Sequence, residues 1–228
     1  MTLNVPRQSC VRSVLICLLL TAAGSTARAQ ATTPETALDR QLSRIDLGVL
    51  GVGVFNKDSK GTAIVNAKPT EVNLSPGNTA GAVVTLRYIV SPFIGFEGNY
   101  GYARYADTFT PFGAQPVAAV QQNASEYTLG YVAHTRKQHF GVTPFASGGL
   151  GTIVFRPTPG GGEALPKQAR AAYYFSVGVE TTVLSPHFGL RAQYRQLFFK
   201  APDFETNYLT IQQHTTTFEP GVGFFLRF

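Results

Sequence analysis

Histidine is the residue type with the widest chemical reach, and this chain has four: His134, His139, His187 and His214. They fall at a strand end, in turns and at a loop edge, without metal-ligand spacing, so no metal site is expected. The nearest approach to a nucleophile–base–acid set is His214 with Thr216 and Glu219. No Ser sits near His214, and alternation puts His214 and Glu219 on opposite faces of a strand, whereas nucleophilic catalysis needs its groups in hydrogen-bond reach. Gly48, Gly51 and Gly53 suggest a phosphate loop, but no helix pattern follows, so they read as strand glycines that ease close packing. Gly148, Gly149 and Gly151 read the same way. Asn123-Ala124-Ser125 has a glycosylation pattern and reads as a loop end. No cofactor and no catalytic residue is expected.

The charges carry more information than the histidines. Arg87, Glu97, Asn99, Glu126, Glu180, Arg191, Gln193, Arg195, Glu219 and Arg227 alternate with apolar residues at a period of two. The opposite face holds Ala82, Val84, Leu86, Tyr88 and Val90, then Ile94, Phe96, Tyr100 and Tyr102, then Tyr127, Leu129 and Tyr131. It continues with Tyr173, Phe175, Val177 and Val179, then Phe188, Leu190, Ala192 and Tyr194. Period two is the strand signature. Ions stripped of water cost several kcal/mol each, so an enclosed set needs partners of opposite sign. Arg87, Glu97, Glu180, Arg191, Arg195, Glu219 and Arg227 are expected to form an ion-pair network that fills an interior. Glu97 and Arg191 should share a level on opposite walls, and Arg87 and Arg227 read equally well as hydrated near the rims.

The elements that must position these residues are eight strands: 45–55, 79–90, 93–105, 125–134, 141–155, 170–183, 188–200 and 214–228. The connections 56–78, 106–124, 156–169 and 201–213 are long, polar and rich in Pro, Gly or Asn, and those between them are short. Residues 91–100 match 185–194 without a gap, four strands apart, so the copies oppose each other in a ring of eight. The last strand puts Phe218, Pro220, Val222, Phe224, Leu226 and Phe228 on one face, an exposure that suits hydrocarbon better than water.

The start of the chain agrees with export. Arg7 and Arg12, the apolar stretch 14–20 and Ala27-Arg28-Ala29 have the pattern of a cleaved signal peptide over residues 1–29. A short periplasmic lead-in, 30–43, and a barrel domain, 44–228, follow. Cys10 and Cys17 both fall in the signal, so the mature chain uses no disulfide. Removing Arg7, Arg12 and Arg28 takes the basic count from 19 to 16 against 13 acids, and the net charge from +6 to +3. That modest balance argues for no nucleic-acid partner. No mature apolar run approaches eighteen residues, and a membrane protein without spanning helices must close its strands into a barrel. The expected fold is all-β, an eight-stranded antiparallel up-and-down transmembrane β-barrel. Its apolar exterior excludes a soluble lipocalin-like barrel, which would also usually carry a Trp in its first strand; this chain has none.

With Ala27-Arg28-Ala29, the two Ser-Pro turns, Gly189-Leu190-Arg191-Ala192-Gln193-Tyr194-Arg195 and the terminal Val222–Phe228, the chain resembles the small eight-stranded outer-membrane barrels of the OmpA transmembrane-domain and OmpX-like group. The resemblance implies the bacterial outer membrane after export to the periplasm, contact with outer-membrane lipid, and a monomer. It implies that Phe224, Leu226 and Phe228 act as the signal read by the barrel-assembly machinery. The function expected is non-enzymatic, structural or surface-interacting, through four long extracellular loops and an unidentified extracellular ligand. The loop Phe109-Thr110-Pro111-Phe112-Gly113 is one candidate contact. The alternatives are a narrow porin-like channel for ions or small solutes and, less readily, a lipid-modifying outer-membrane enzyme.

Overall fold

A computed structural model describes residues 36–65, 67–111, 118–135, 138, 140–159, 165–204 and 213–228. The signal segment, His139, Phe112 and Gly113 lie outside them. The chain divides into two compact units, Met1–Ala37 and Leu38–Phe228, and the strands among the described residues lie in the second. A short helix, α1 (Ala37–Leu42), lies within the expected lead-in. Strands follow as β1 (Ile45–Asn56), β2 (Ser59–Val65), β3 (Lys68–Pro76), β4 (Thr79–Ile89), β5 (Ile94–Pro111), β6 (Ala118–His134), β7 (Thr143–Pro157), β8 (Gln168–Ser185), β9 (Phe188–Lys200) and β10 (His214–Arg227). No helix among the described residues is long and apolar enough to cross a membrane.

Eight of these strands close a ring in the order β1, β4, β5, β6, β7, β8, β9, β10, with β10 pairing back onto β1. Every pairing is antiparallel, and closure removes the sheet edges that lipid would leave unsatisfied. From Val52, one way round the ring reaches β8 at Gly178 and the other reaches it at Gln168. That stagger of ten residues tilts the strands, as closure requires. The eight-stranded antiparallel barrel expected from the alternation is the fold observed.

Two departures concern the connections. The segment expected as the first long loop contains the hairpin β2–β3, and β3 extends the sheet by pairing Val72–Pro76 with Asp107–Pro111 of β5. The second expected loop, 106–124, is largely strand. β5 and β6 stay paired from Ile94↔Ala133 up to Phe109↔Ala118, well beyond the rest of the rim. Phe109 is fully buried in an apolar cluster with Val72, Leu74 and Val120, so it packs against its own barrel instead of offering a contact.

Alternation decides what faces lipid. Leu129, Tyr131, Leu150, Tyr173 and Val222 project outward and are more than half exposed, and aromatic pairs such as Phe96–Tyr131 and Tyr100–Tyr127 lie on the same surface. The interior is polar toward the end with short turns. Toward the other end it is apolar, filled by Phe109, Ile153, Phe155, Leu197, Phe199 and Phe204 and by a second group around Leu50, Val52 and Val54. This apolar half was not anticipated from the charged positions, although the same parity places each of these strand residues inside. Long connections mark the extracellular end of such barrels and short turns the periplasmic end.

Candidate functional site: the barrel interior

The inward positions of seven strands meet in two groups of charges. In the first, Arg87 Nε lies 2.8 Å from Glu97 Oε2 and Arg87 Nη1 lies 3.3 Å from Glu180 Oε2. Arg191 Nη2 lies 3.1 Å from both Glu180 Oε2 and Asp46 Oδ1. Arg227, at the periplasmic rim, approaches Asp46 at 3.7 Å and Glu180 at 3.6 Å. His134 Nε2 stands 3.4 Å from Glu180 Oε1. In the second group Arg195 donates to Glu126 through both terminal nitrogens, at 2.7 Å for Nη1, and to Glu219 at 3.0 Å. Thr128 accepts from the same guanidinium at 3.0 Å.

Aromatic faces cover what carboxylates do not. The Arg87 guanidinium carbon sits 4.3 Å from the centre of the Phe145 ring, Arg191 lies 4.9 Å from Phe225, and Arg195 lies 4.7 Å from Tyr174. A desolvated cation over such a face gains about 2 kcal/mol. The Tyr174 hydroxyl also donates to Glu97 Oε1 at 2.8 Å, and Asn99 ties Glu97 to Thr85 and Thr128. Glycine makes room for this packing. A Cβ on inward Gly48 would stand 2.8 Å from Arg191 Nη1, whereas outward Gly51 has open space around it. Close packing therefore explains Gly48 and not Gly51.

The seven residues singled out from the sequence are thus distributed over both groups, with one pairing corrected. Glu97 and Arg191 do not meet across the lumen. Arg87 is the cross-strand partner of Glu97, and Arg191 is the partner of Glu180 on the neighbouring strand. The stagger of the ring offsets equivalent positions on opposite walls, so a sequence repeat does not define a common level. Arg87 is buried, not hydrated at a rim, while the Arg227 side chain keeps 35% of its surface exposed. Sequence reasoning missed Asp46, His134, Tyr174 and Phe145. Parity was the available signal for the first two: Asp46 alternates with Leu47 and Val49, and His134 with Ala133 and Tyr131.

The suspected hydrolytic set is dispersed. His214 is exposed at the extracellular end of β10, and Glu219 is inside on Arg195. Among the described residues no cluster of three or more His, Cys, Asp or Glu could hold a metal ion. At the C-terminus, Phe224, Leu226 and Phe228 project outward, 41–51% exposed.

A closed antiparallel barrel with an apolar exterior and paired charges within defines an integral barrel protein of the bacterial outer membrane, seated in its lipid. The family model for the outer membrane protein beta-barrel domain matches residues 15–224, and the chain belongs to that family. Among solved structures, OprG from Pseudomonas aeruginosa is similar with a TM-score of 0.54 at 14% identity, covering 81% of this chain and 95% of that one. Neisserial surface protein A is similar with a TM-score of 0.50 at 12% identity, covering 80% of this chain and 97% of that one. Identities this low speak for the fold alone. No curated protein sequence matches the chain.

Proposed function

We propose that this chain is a non-enzymatic, monomeric outer-membrane barrel whose task is structural or surface-interacting, and whose interior does not conduct. The observation that carries this reading is the burial of Arg87, Arg191 and Arg195, each at most 2% exposed and each bound to carboxylates from other strands. Eight strands enclose a space that side chains alone can fill, and the apolar cluster closes the extracellular half above these charges. The cavity between the two halves, about 30 Å³, has room for no more than a few water molecules, and a pocket of about 260 Å³ opens at the periplasmic rim beside Glu180 and Arg227. The extracellular end carries the β2–β3 hairpin and the extended β5–β6 ribbon, and these form the surface offered to a ligand. Residues 1–29 are removed as a signal peptide, leaving a lead-in before the barrel, and Phe224, Leu226 and Phe228 are read by the barrel-assembly machinery.

Single-channel recording in planar bilayers tests the reading. The refolded protein should show no steady unitary openings at physiological salt. Steady openings would establish the narrow-channel alternative instead. A change in lipid A species on overexpression would point to the enzymatic one.

A further inference from the structure

Strand-borne arginines divide into two kinds. Arg87, Arg170, Arg191, Arg195 and Arg227 each meet a carboxylate. Arg104 and Arg156 meet none among the described residues, and both are exposed on the outer wall. They are close neighbours, because Arg104 is paired with Asn123 on β6 and Asn123 with Arg156 on β7. One row across three adjacent strands therefore reads Arg, Asn, Arg, and opposed side chains in such a row stand ~5 Å apart at Cβ.

The row lies where the wall stops being apolar. Below it on the same face are Tyr102 on β5, Tyr127 and Leu129 on β6, and Leu150 on β7, all exposed. Arg104 is the eleventh residue of β5 counted from Ile94, and a tilted strand crosses the hydrocarbon in about 9–11 residues. The same transition occurs on β6, where Tyr131, Leu129 and Tyr127 give way to Ser125, Asn123 and Gln121. Among the described residues the guanidiniums are held by neutral acceptors: Arg104 Nη2 donates to Gln121 Oε1 at 2.9 Å and Arg156 Nη1 to Ser125 Oγ at 2.9 Å. Each guanidinium has five N–H donors, so most remain available.

We infer that Arg104, Asn123 and Arg156 form a clamp for the phosphate groups of the outer-leaflet glycolipid, a phosphorylated, acylated saccharide. Two forked cations at headgroup level match phosphate oxygens bidentately. The apolar wall directly below receives the acyl chains of the same molecule, which is why the phosphate is assigned to a lipid and not to a free ion. Arg104 and Arg156 flank Asn123 with β6 between them, about 10 Å apart at the backbone, so their long side chains can converge on one anion, which offsets their mutual repulsion.

The test uses the refolded full mature chain in phosphatidylcholine nanodiscs, titrated with bisphosphorylated lipid A, with bound lipid read by native mass spectrometry. Arg104→Gln combined with Arg156→Gln should weaken lipid A retention by at least about tenfold. The double Lys variant should fall between, since it keeps charge and loses the fork. Dephosphorylated lipid A should bind both wild type and variant weakly. Heat-modifiable gel migration establishes that each variant is folded, and the single Gln variants serve if the double one is not. Equal retention by the folded Gln variants overturns the clamp. So does wild-type retention of dephosphorylated lipid A or phosphatidylglycerol matching that of bisphosphorylated lipid A, or displacement of lipid A by millimolar inorganic phosphate.

Discussion

Arg87 and Glu97 are direct cross-strand partners on β4 and β5, joined at 2.8 Å and both almost wholly out of water. Removing one member of a buried pair strands the other, at a cost of about 3–5 kcal/mol. Glu97→Gln should therefore lower the unfolding free energy, read from urea titration of the protein in vesicles, by about 3 kcal/mol, the low end because Arg87 keeps Glu180. Exchanging the two, Arg87→Glu with Glu97→Arg, should recover part of the loss and not all, because the new Glu faces Glu180. Exchanging Glu97 with Arg191 should recover nothing. Recovery by the second exchange and not the first would move the pairing across the lumen.

Arg195 gives an ordering of effects. It donates twice to Glu126 and once to Glu219. Glu219→Gln leaves Arg195 with its bidentate partner and should cost about 1 kcal/mol. Glu126→Gln removes that partner and should cost about 3 kcal/mol or more. Arg195→Gln leaves two buried carboxylates unpaired and should cost most. Equal effects at Glu126 and Glu219 in vesicle unfolding would contradict this geometry.

How much of this was readable in the residues depends on where burial imposed a pattern. β9 was legible from Phe188 to Lys200 because Leu190, Ala192 and Tyr194 face lipid while Arg191, Gln193 and Arg195 face in. The β2–β3 hairpin was not, since above the membrane neither face must be apolar, and only Val72 and Leu74 of Lys68–Pro76 carry an alternation. The extended β5–β6 ribbon was hidden for a related reason. Its buried face mixes Asp107 and Gln122 with Phe109 and Val120, which breaks the contrast between faces. The inward charges were legible by parity, but their partners were set by the stagger, which depends on closure of the whole ring.

Asp107 lies on β5 beyond Arg104, above the membrane-spanning part of the strand. Burial pushes its carboxyl up to about 7, opposed only by the hydrogen bond that Gln122 Nε2 donates at 2.7 Å. The folded form thus holds its proton more tightly than the unfolded chain, where the ordinary value is 3.8. Its contribution to stability is full below that value and is lost as pH rises through about 7. Asp107→Asn keeps the acceptor for Gln122 and cannot ionise. Wild-type urea midpoints should fall between acidic and neutral pH, while those of the Asn variant should change less over the same window. Parallel pH profiles for the two proteins would remove Asp107 as the source.

The hairpin offers a backbone test that no side-chain contact confuses. Ala67, in the two-residue connection between β2 and β3, has φ of +60°. A left-handed residue with a Cβ costs about 1–2 kcal/mol, and glycine takes the conformation freely. Glycine also loses more freedom on folding, which takes back part of the gain. Ala67→Gly should therefore stabilise the hairpin by about 0.5–1 kcal/mol. Since the hairpin joins the barrel through Val72–Pro76 on β5, the gain should appear as slower amide hydrogen exchange in β2 and β3, with exchange in β9 unchanged. Slower exchange in β9 as well would mean that the hairpin opens only with the whole barrel, and faster exchange in β2 would mean that the turn does not hold the left-handed form.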